Sequence, residues 1–141
     1  MKKIVLSSKL LSLIITALVL ITLSSCSKKM SFLSSSVVPA AVGTVKLKTD
    51  KNKNHAIEVN INNLAPASQL TPPKKTYVVW MVTQNNETKN IGQLKSASSF
   101  TSKALKGSLS TVSSFTPRSF FITAEDEGNA EYPGIMVLET R

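Results

Sequence analysis

Thr76-Tyr77-Val78-Val79-Trp80-Met81-Val82-Thr83 is the most apolar stretch after position 26. β-Branched and aromatic residues dominate it, no Gly or Pro interrupts it, and it is too short for a globular helix. Its apolar residues are consecutive rather than alternating, which predicts a central strand buried on both faces. Trp80 is expected to be the largest side chain of the core, with Tyr77 near the strand entry. That reading is preferred to an exposed aromatic platform built from the same two residues.

Working backwards, His55 to Asn62 alternates cleanly: Ala56, Glu58, Asn60 and Asn62 face one way, Ile57, Val59 and Ile61 the other. Half-buried antiparallel strands have this pattern. Asp50 to Asn54 is a polar turn that joins it as a hairpin to a strand over 41–48 carrying Val42, Val45 and Leu47. Leu64 to Lys75 holds three prolines and reads as a long connection. Ser27 to Ser36 (SKKMSFLSSS) is small, polar and basic, and reads as a flexible tether.

Working forwards, Gln84 to Lys89 is a turn and Asn90 to Lys95 a short strand, in which Gly92 marks a bulge or a close backbone approach. Ser96 to Thr116 is rich in Ser and Thr, with Phe100, Leu105, Leu109, Val112 and Phe115 spaced through it. One or two solvent-facing edge strands are expected here, protected by Lys95, Lys103 and Lys106 and offering the edge to which a partner would add a strand. Arg118 to Ala124, containing Phe121, is a strand. Glu125 to Pro133 is an acidic turn, and Gly134 to Glu139, containing Val137, closes the domain. No stretch after the leader carries a helical apolar stripe. The expected fold is all-β, an antiparallel sandwich of about seven strands over residues 37–141. Tyr77, Trp80, Phe121 and Val137 are its expected core members.

The first 25 residues have a different texture. Lys2, Lys3 and Lys9 precede or open an apolar run, Leu10 to Leu23, broken only by Ser12, Thr16 and Thr22. Its length fits a cleavable signal helix and is short for a bilayer span, which needs about 20 apolar residues. Leu23-Ser24-Ser25-Cys26 follows, and resembles the lipobox of bacterial lipoproteins. That resemblance implies cleavage between Ser25 and Cys26, diacylation of the Cys26 sulfur, and anchoring of residues 26–36 and the domain behind them to a membrane. Two or more acyl chains hold stably where one holds marginally. Ser27 is not the aspartate that commonly retains such proteins in the inner membrane, which leans the expected location to the outer membrane of the bacterial envelope.

Cys26 is the only cysteine, so an intrachain disulfide is excluded and the domain must rest on its hydrophobic core. The chain carries 17 basic and 8 acidic residues. Removing Lys2, Lys3 and Lys9 from the 17 leaves 14 against 8, a net +6 after cleavage. In an exported protein such a surplus points away from nucleic acid. Lys28 and Lys29, beside the acylated cysteine, are placed to attract anionic lipid head groups.

No catalytic constellation is expected. His55 is the only histidine and has no nucleophile or second ligand near it in sequence. A cupredoxin-type copper site needs two histidines and a cysteine, which this chain cannot supply. No Gly-x-Ser-x-Gly elbow marks a serine nucleophile. Glu125, Asp126, Glu127 and Glu131 are dense enough in oxygen ligands to suggest calcium, but lack the alternating spacing of a calcium loop. No cofactor is called for.

From Tyr77 onward the order of motifs is similar to the C-terminal, extracytoplasmic domain of the anti-sigma-K factor family. The matching pieces are Tyr77-Val78-Val79-Trp80, Ile91-Gly92-Gln93-Leu94, Phe121-Ile122-Thr123-Ala124-Glu125, Gly128, and Pro133-Gly134-Ile135-Met136-Val137-Leu138. The resemblance implies an exported β-sandwich, with Trp80, Gly92, Glu125 and Pro133 as structural positions. It does not bring sigma-factor binding, which in that family belongs to a separate helical domain. The expectation is a non-enzymatic envelope protein that works by contact with a protein partner. A small-ligand or calcium-binding lipoprotein is the alternative, and an enzyme ranks behind both.

Overall fold

The computed structural model describes residues 27–99 and 102–141. Residues 1–26 lie outside them, and with them the expected cleavage and lipidation positions, Ser25 and Cys26.

Nine strands follow one another: β1 (Ser27–Ser31), β2 (Val42–Thr49), β3 (His55–Leu64), β4 (Thr76–Thr83), β5 (Thr88–Gln93), β6 (Lys95–Ser99), β7 (Ser102–Ser113), β8 (Pro117–Glu125) and β9 (Ile135–Glu139). They form a five-stranded sheet of order β1-β2-β3-β7-β6 and a four-stranded sheet of order β5-β4-β8-β9. Every pairing is antiparallel. The molecule is an all-β sandwich, as its alternating and doubly apolar segments require.

The alternation read in β3 holds: Ile57, Val59 and Ile61 are buried and face the other sheet, while Ala56, Glu58 and Asn62 face outward. Val45 and Leu47 lie opposite Val59 and Ile57 in register. From the second sheet Tyr77, Val79, Met81, Phe120, Ile122, Ala124 and Leu138 complete one continuous core, joined by Val137. At Gly43 a Cβ would lie 2.2 Å from Ile61 Cδ1 and 2.8 Å from the Asn60 carbonyl, so the β2–β3 contact at that level requires glycine.

The hairpin over Asp50–Asn54 forms as expected. The Asp50 carboxylate accepts from the backbone N–H groups of Asn54 and Asn52, each at 2.8 Å, while Lys53 adopts φ 64°. The bond from the Asn54 backbone is the foremost reason the Asp50 carboxyl sits below its ordinary pKa. Gly92 meets both of its expected roles. Its φ is +133°, the register between β4 and β5 shifts beside it, and a Cβ there would come within 3.1 Å of Leu109 Cδ1.

Three expectations change. The described residues form nine strands rather than about seven. The segment read as a tether is instead an integral strand: β1 pairs along β2 from Ser27↔Lys48 to Ser31↔Thr44, and Met30 is buried. One residue further on, Phe32 bridges to Thr140, and the Leu33 N–H donates to the Glu139 carbonyl at 2.8 Å. The chain thus passes from the edge of one sheet to the edge of the other and closes that side of the sandwich. Leu94 does the same on the opposite side, where β5 runs into β6.

Third, the Ser/Thr-rich region is not all edge. β6 is an edge strand, but β7 lies inside the sheet between β3 and β6. The sequence pattern conceals this because Gly107 sits at an inward position, where Leu94 and Leu64 fill the space a side chain would take.

Candidate functional site

Successive residues of β4 point to opposite faces, and both are buried. Tyr77, Val79 and Met81 belong to the core between the sheets, whereas Val78 and Trp80 are fully buried on the outward face of the four-stranded sheet. Trp80 is therefore the largest buried side chain, as expected, but it is not between the sheets. Phe121, opposite Trp80 on β8, shares this outer face. Its ring stacks on the indole at 6.1 Å with planes 8° apart, and it is only half-buried. This corrects the expectation that Phe121 belongs to the main core.

The cover over Trp80 is the loop between β8 and β9, residues 126–134. Asn90 on β5 donates its side-chain amide to the carbonyls of Gly128 (3.1 Å) and Ala130 (3.0 Å). β5 and β8 flank β4 on opposite sides, so a loop leaving β8 and held at Asn90 must cross β4. Its passage is tight: a Cβ at Gly128 would lie 2.6 Å from Gln93 Oε1. Lys74 pairs with Asp126 at 2.7 Å and holds the loop's start.

Beneath it runs a buried polar chain. Trp80 Nε1–H donates to Thr123 Oγ1 at 2.7 Å, and the Thr123 hydroxyl donates to Glu125 Oε1. The same carboxylate oxygen accepts the Gly134 N–H at 2.6 Å. Thr123 and Glu125 are two apart on β8 and so share a face, which places both on the Trp80 side. Every member of this chain has a partner, as buried polar groups must. No buried side-chain nitrogen or oxygen among the described residues lacks a hydrogen-bond partner. The arrangement is a latch that fixes the loop.

The four acidic candidates are therefore not brought together. Glu125 turns inward to Thr123 and Gly134, Asp126 is taken by Lys74, and Glu127 and Glu131 are exposed. Among the described residues no group of three or more His, Cys, Asp or Glu converges to hold a metal ion. Millimolar calcium is accordingly expected to leave the melting temperature unchanged. A rise of several degrees in a thermal melt would show that the loop reorganises into a calcium site.

His55 sits at the start of β3, where its Nδ1 meets Thr49 Oγ1 at 3.0 Å across the hairpin. Tyr77 donates its hydroxyl to the Ala65 carbonyl at 2.8 Å, and burial pushes its pKa up to about 12. It stays a neutral donor and no acid–base group at ordinary pH.

Sequence reasoning overlooked Asn90, Thr123 and Lys74. Only the Thr123–Glu125 spacing carried a local signal, since two polar residues two apart on a strand must share a face.

Two of the hollows on the described surface lie against the five-stranded sheet. One, of about 350 Å³, lies on the outward face of the five-stranded sheet among Lys46, Lys48, Ala56, Glu58, Ser110 and Val112. The other, of about 550 Å³, opens beside β1 and is lined by Lys28, Lys29, Arg118 and Arg141 together with Met30 and Phe32. Both are basic, and neither contains a nucleophile with a partnered base.

The fold and these surfaces define a two-sheet antiparallel β-sandwich with a hydrogen-bonded polar network buried behind Trp80. Compared with protein-family models, curated proteins and solved structures, the chain matches none of them.

Proposed function

We propose that this chain is a lipid-anchored protein of the bacterial envelope whose β-sandwich serves as a non-enzymatic interaction or sensing module. The observation that carries the reading is Leu23-Ser24-Ser25-Cys26, set directly after a basic start and a short apolar run. The resemblance of the segments from Tyr77 onward to an extracytoplasmic anti-sigma-K factor domain supports the same class. The satisfied polar chain behind Trp80 supports a body that acts through its surface.

The test is acyl labelling of the expressed chain together with its intact mass. Labelled palmitate is expected to enter the wild-type chain, whose mass then lacks residues 1–25 and gains the lipid. Cys26→Ser is expected to abolish both the label and the processing. A precursor persisting at full mass without label would sink the anchor. Crosslinking in intact membranes is expected to recover a protein neighbour, and recovery of none would overturn the interaction role.

A further inference from the structure

The charges of this body are sorted between its two faces. Side chains on β2 alternate, so Val45 and Leu47 face the core while Lys46 and Lys48 face outward. Register carries the same outward face to Lys29 on β1, which lies opposite Lys46, and to Glu58 on β3. On the far strands it carries to Ser108 on β7, Lys95 on β6, and Lys106 two residues before Ser108. The outward face of the five-stranded sheet therefore presents Lys29, Lys46, Lys48, Lys95 and Lys106, all exposed. Glu58 is the one acidic side chain that this register sets among them.

The ion pairs among the described residues, Lys74–Asp126 and Lys89–Glu87, lie on the other sheet and its loops. None of the five lysines takes part in either. Towards one end of the face, beside Ala56, Val112 is 67 % exposed.

Acidic residues gather on the opposite side. Of the chain's 8, Glu87, Glu125, Asp126, Glu127, Glu131 and Glu139 belong to the four-stranded sheet and its loops. Asp50 and Glu58 are the two on the five-stranded side. Lys74, Lys75, Lys89, Arg118 and Arg141 leave that side close to neutral, so near an anionic plane the body is drawn in by its lysine face, which fixes its orientation.

We propose that the outward face of the five-stranded sheet is a docking surface for anionic phospholipid, against which the sandwich lies. The occupant is a bilayer because the basic face is broad and carries lysines from one edge strand to the other. An exposed valine among lysine stems also suits the head-group boundary. The strand that opens the sheet begins at Ser27, the residue after Cys26. This deepens the reading of a lipid-anchored body, and rests on it for having a bilayer within reach.

The test uses the full chain as isolated from its producing cells, in vesicles of phosphatidylcholine alone or with about one-third phosphatidylglycerol. Lysine acetylation is mapped by mass spectrometry, and the mass of the Cys26 peptide is read in the same sample. Labelling of the five lysines is expected to fall about fivefold in the anionic vesicles only, while Lys51, Lys53 and Lys75 stay unchanged. The protection is expected to vanish in about 0.5 M salt, which screens charges beyond a few ångströms.

In the triple variant Lys46→Glu, Lys48→Glu, Lys106→Glu, surface changes that leave the core intact, Lys29 and Lys95 are expected to label equally in both vesicles. Equal labelling of the wild-type face in the two vesicles overturns the proposal. So does equal protection in both, which would mark a protein contact or self-association. Acylated Cys26 without protection sinks the docking face alone, whereas protection without acylation sinks the anchor alone.

Discussion

Trp80→Ala is expected to cost about 3–5 kcal/mol and to lower the melting temperature by about 15 °C. The indole is 1 % exposed, stacked on Phe121, and closed over by the β8–β9 loop, so its removal leaves a void that the sheet cannot collapse to fill. Truncation also strips Thr123 of the N–H it accepts from, leaving a buried hydroxyl oxygen short of a partner. Trp80→Phe separates the two effects. It keeps a ring over Phe121 and loses the indole donor, with an expected cost of about 1–2 kcal/mol. Urea titrations of the three proteins check this. An alanine variant within about 0.5 kcal/mol of wild type would mean that the outer face of β4 is not the closed layer described.

Glu125→Ala is the second large effect, at about 3 kcal/mol. One carboxylate oxygen accepts from both the Thr123 hydroxyl and the Gly134 amide, and hydrogen bonds to a charged acceptor are stronger than neutral ones. Its loss unfastens the far end of the loop as well as lowering stability. The Gly134 amide and its neighbours are therefore expected to exchange with deuterium much faster, while amides of β3 keep their order of protection. Glu125→Gln retains an accepting oxygen and is expected to cost about 1 kcal/mol with little change in exchange at Gly134. Unaltered exchange in the alanine variant would show that Asn90 and Lys74 hold the loop unaided.

The parts of the fold that were legible in the sequence are those where one element carries its own periodicity. His55 to Leu64 alternates, and Thr76 to Thr83 is apolar throughout, so the strand partly open to solvent and the doubly buried strand could be told apart. β1 was not legible. SKKMS places one apolar side chain inward, and the strand exists because its backbone pairs with β2. That is information held by the neighbour and not by the segment.

The interior position of β7 was hidden by Gly107, which interrupts the apolar pattern because Leu94 and Leu64 already fill its space. The acidic loop read only as a turn because its anchor points, Asn90 and Lys74, lie far from it in sequence. Of the candidate site, the lysine count was legible. Its sorting onto one face depended on register between five strands, which no single stretch encodes.

Because Phe32 is bonded opposite Thr140 and Leu33 to Glu139, the earliest strand of the body finishes its contacts on the latest one. A chain that emerges with its amino end leading can zip β1 to β2 early, yet the flank they share stays open until β9 emerges. Until then Met30 and the rim of the interior face water. The sandwich therefore closes only once β9 has emerged, and an open flank of this kind is prone to association until it does.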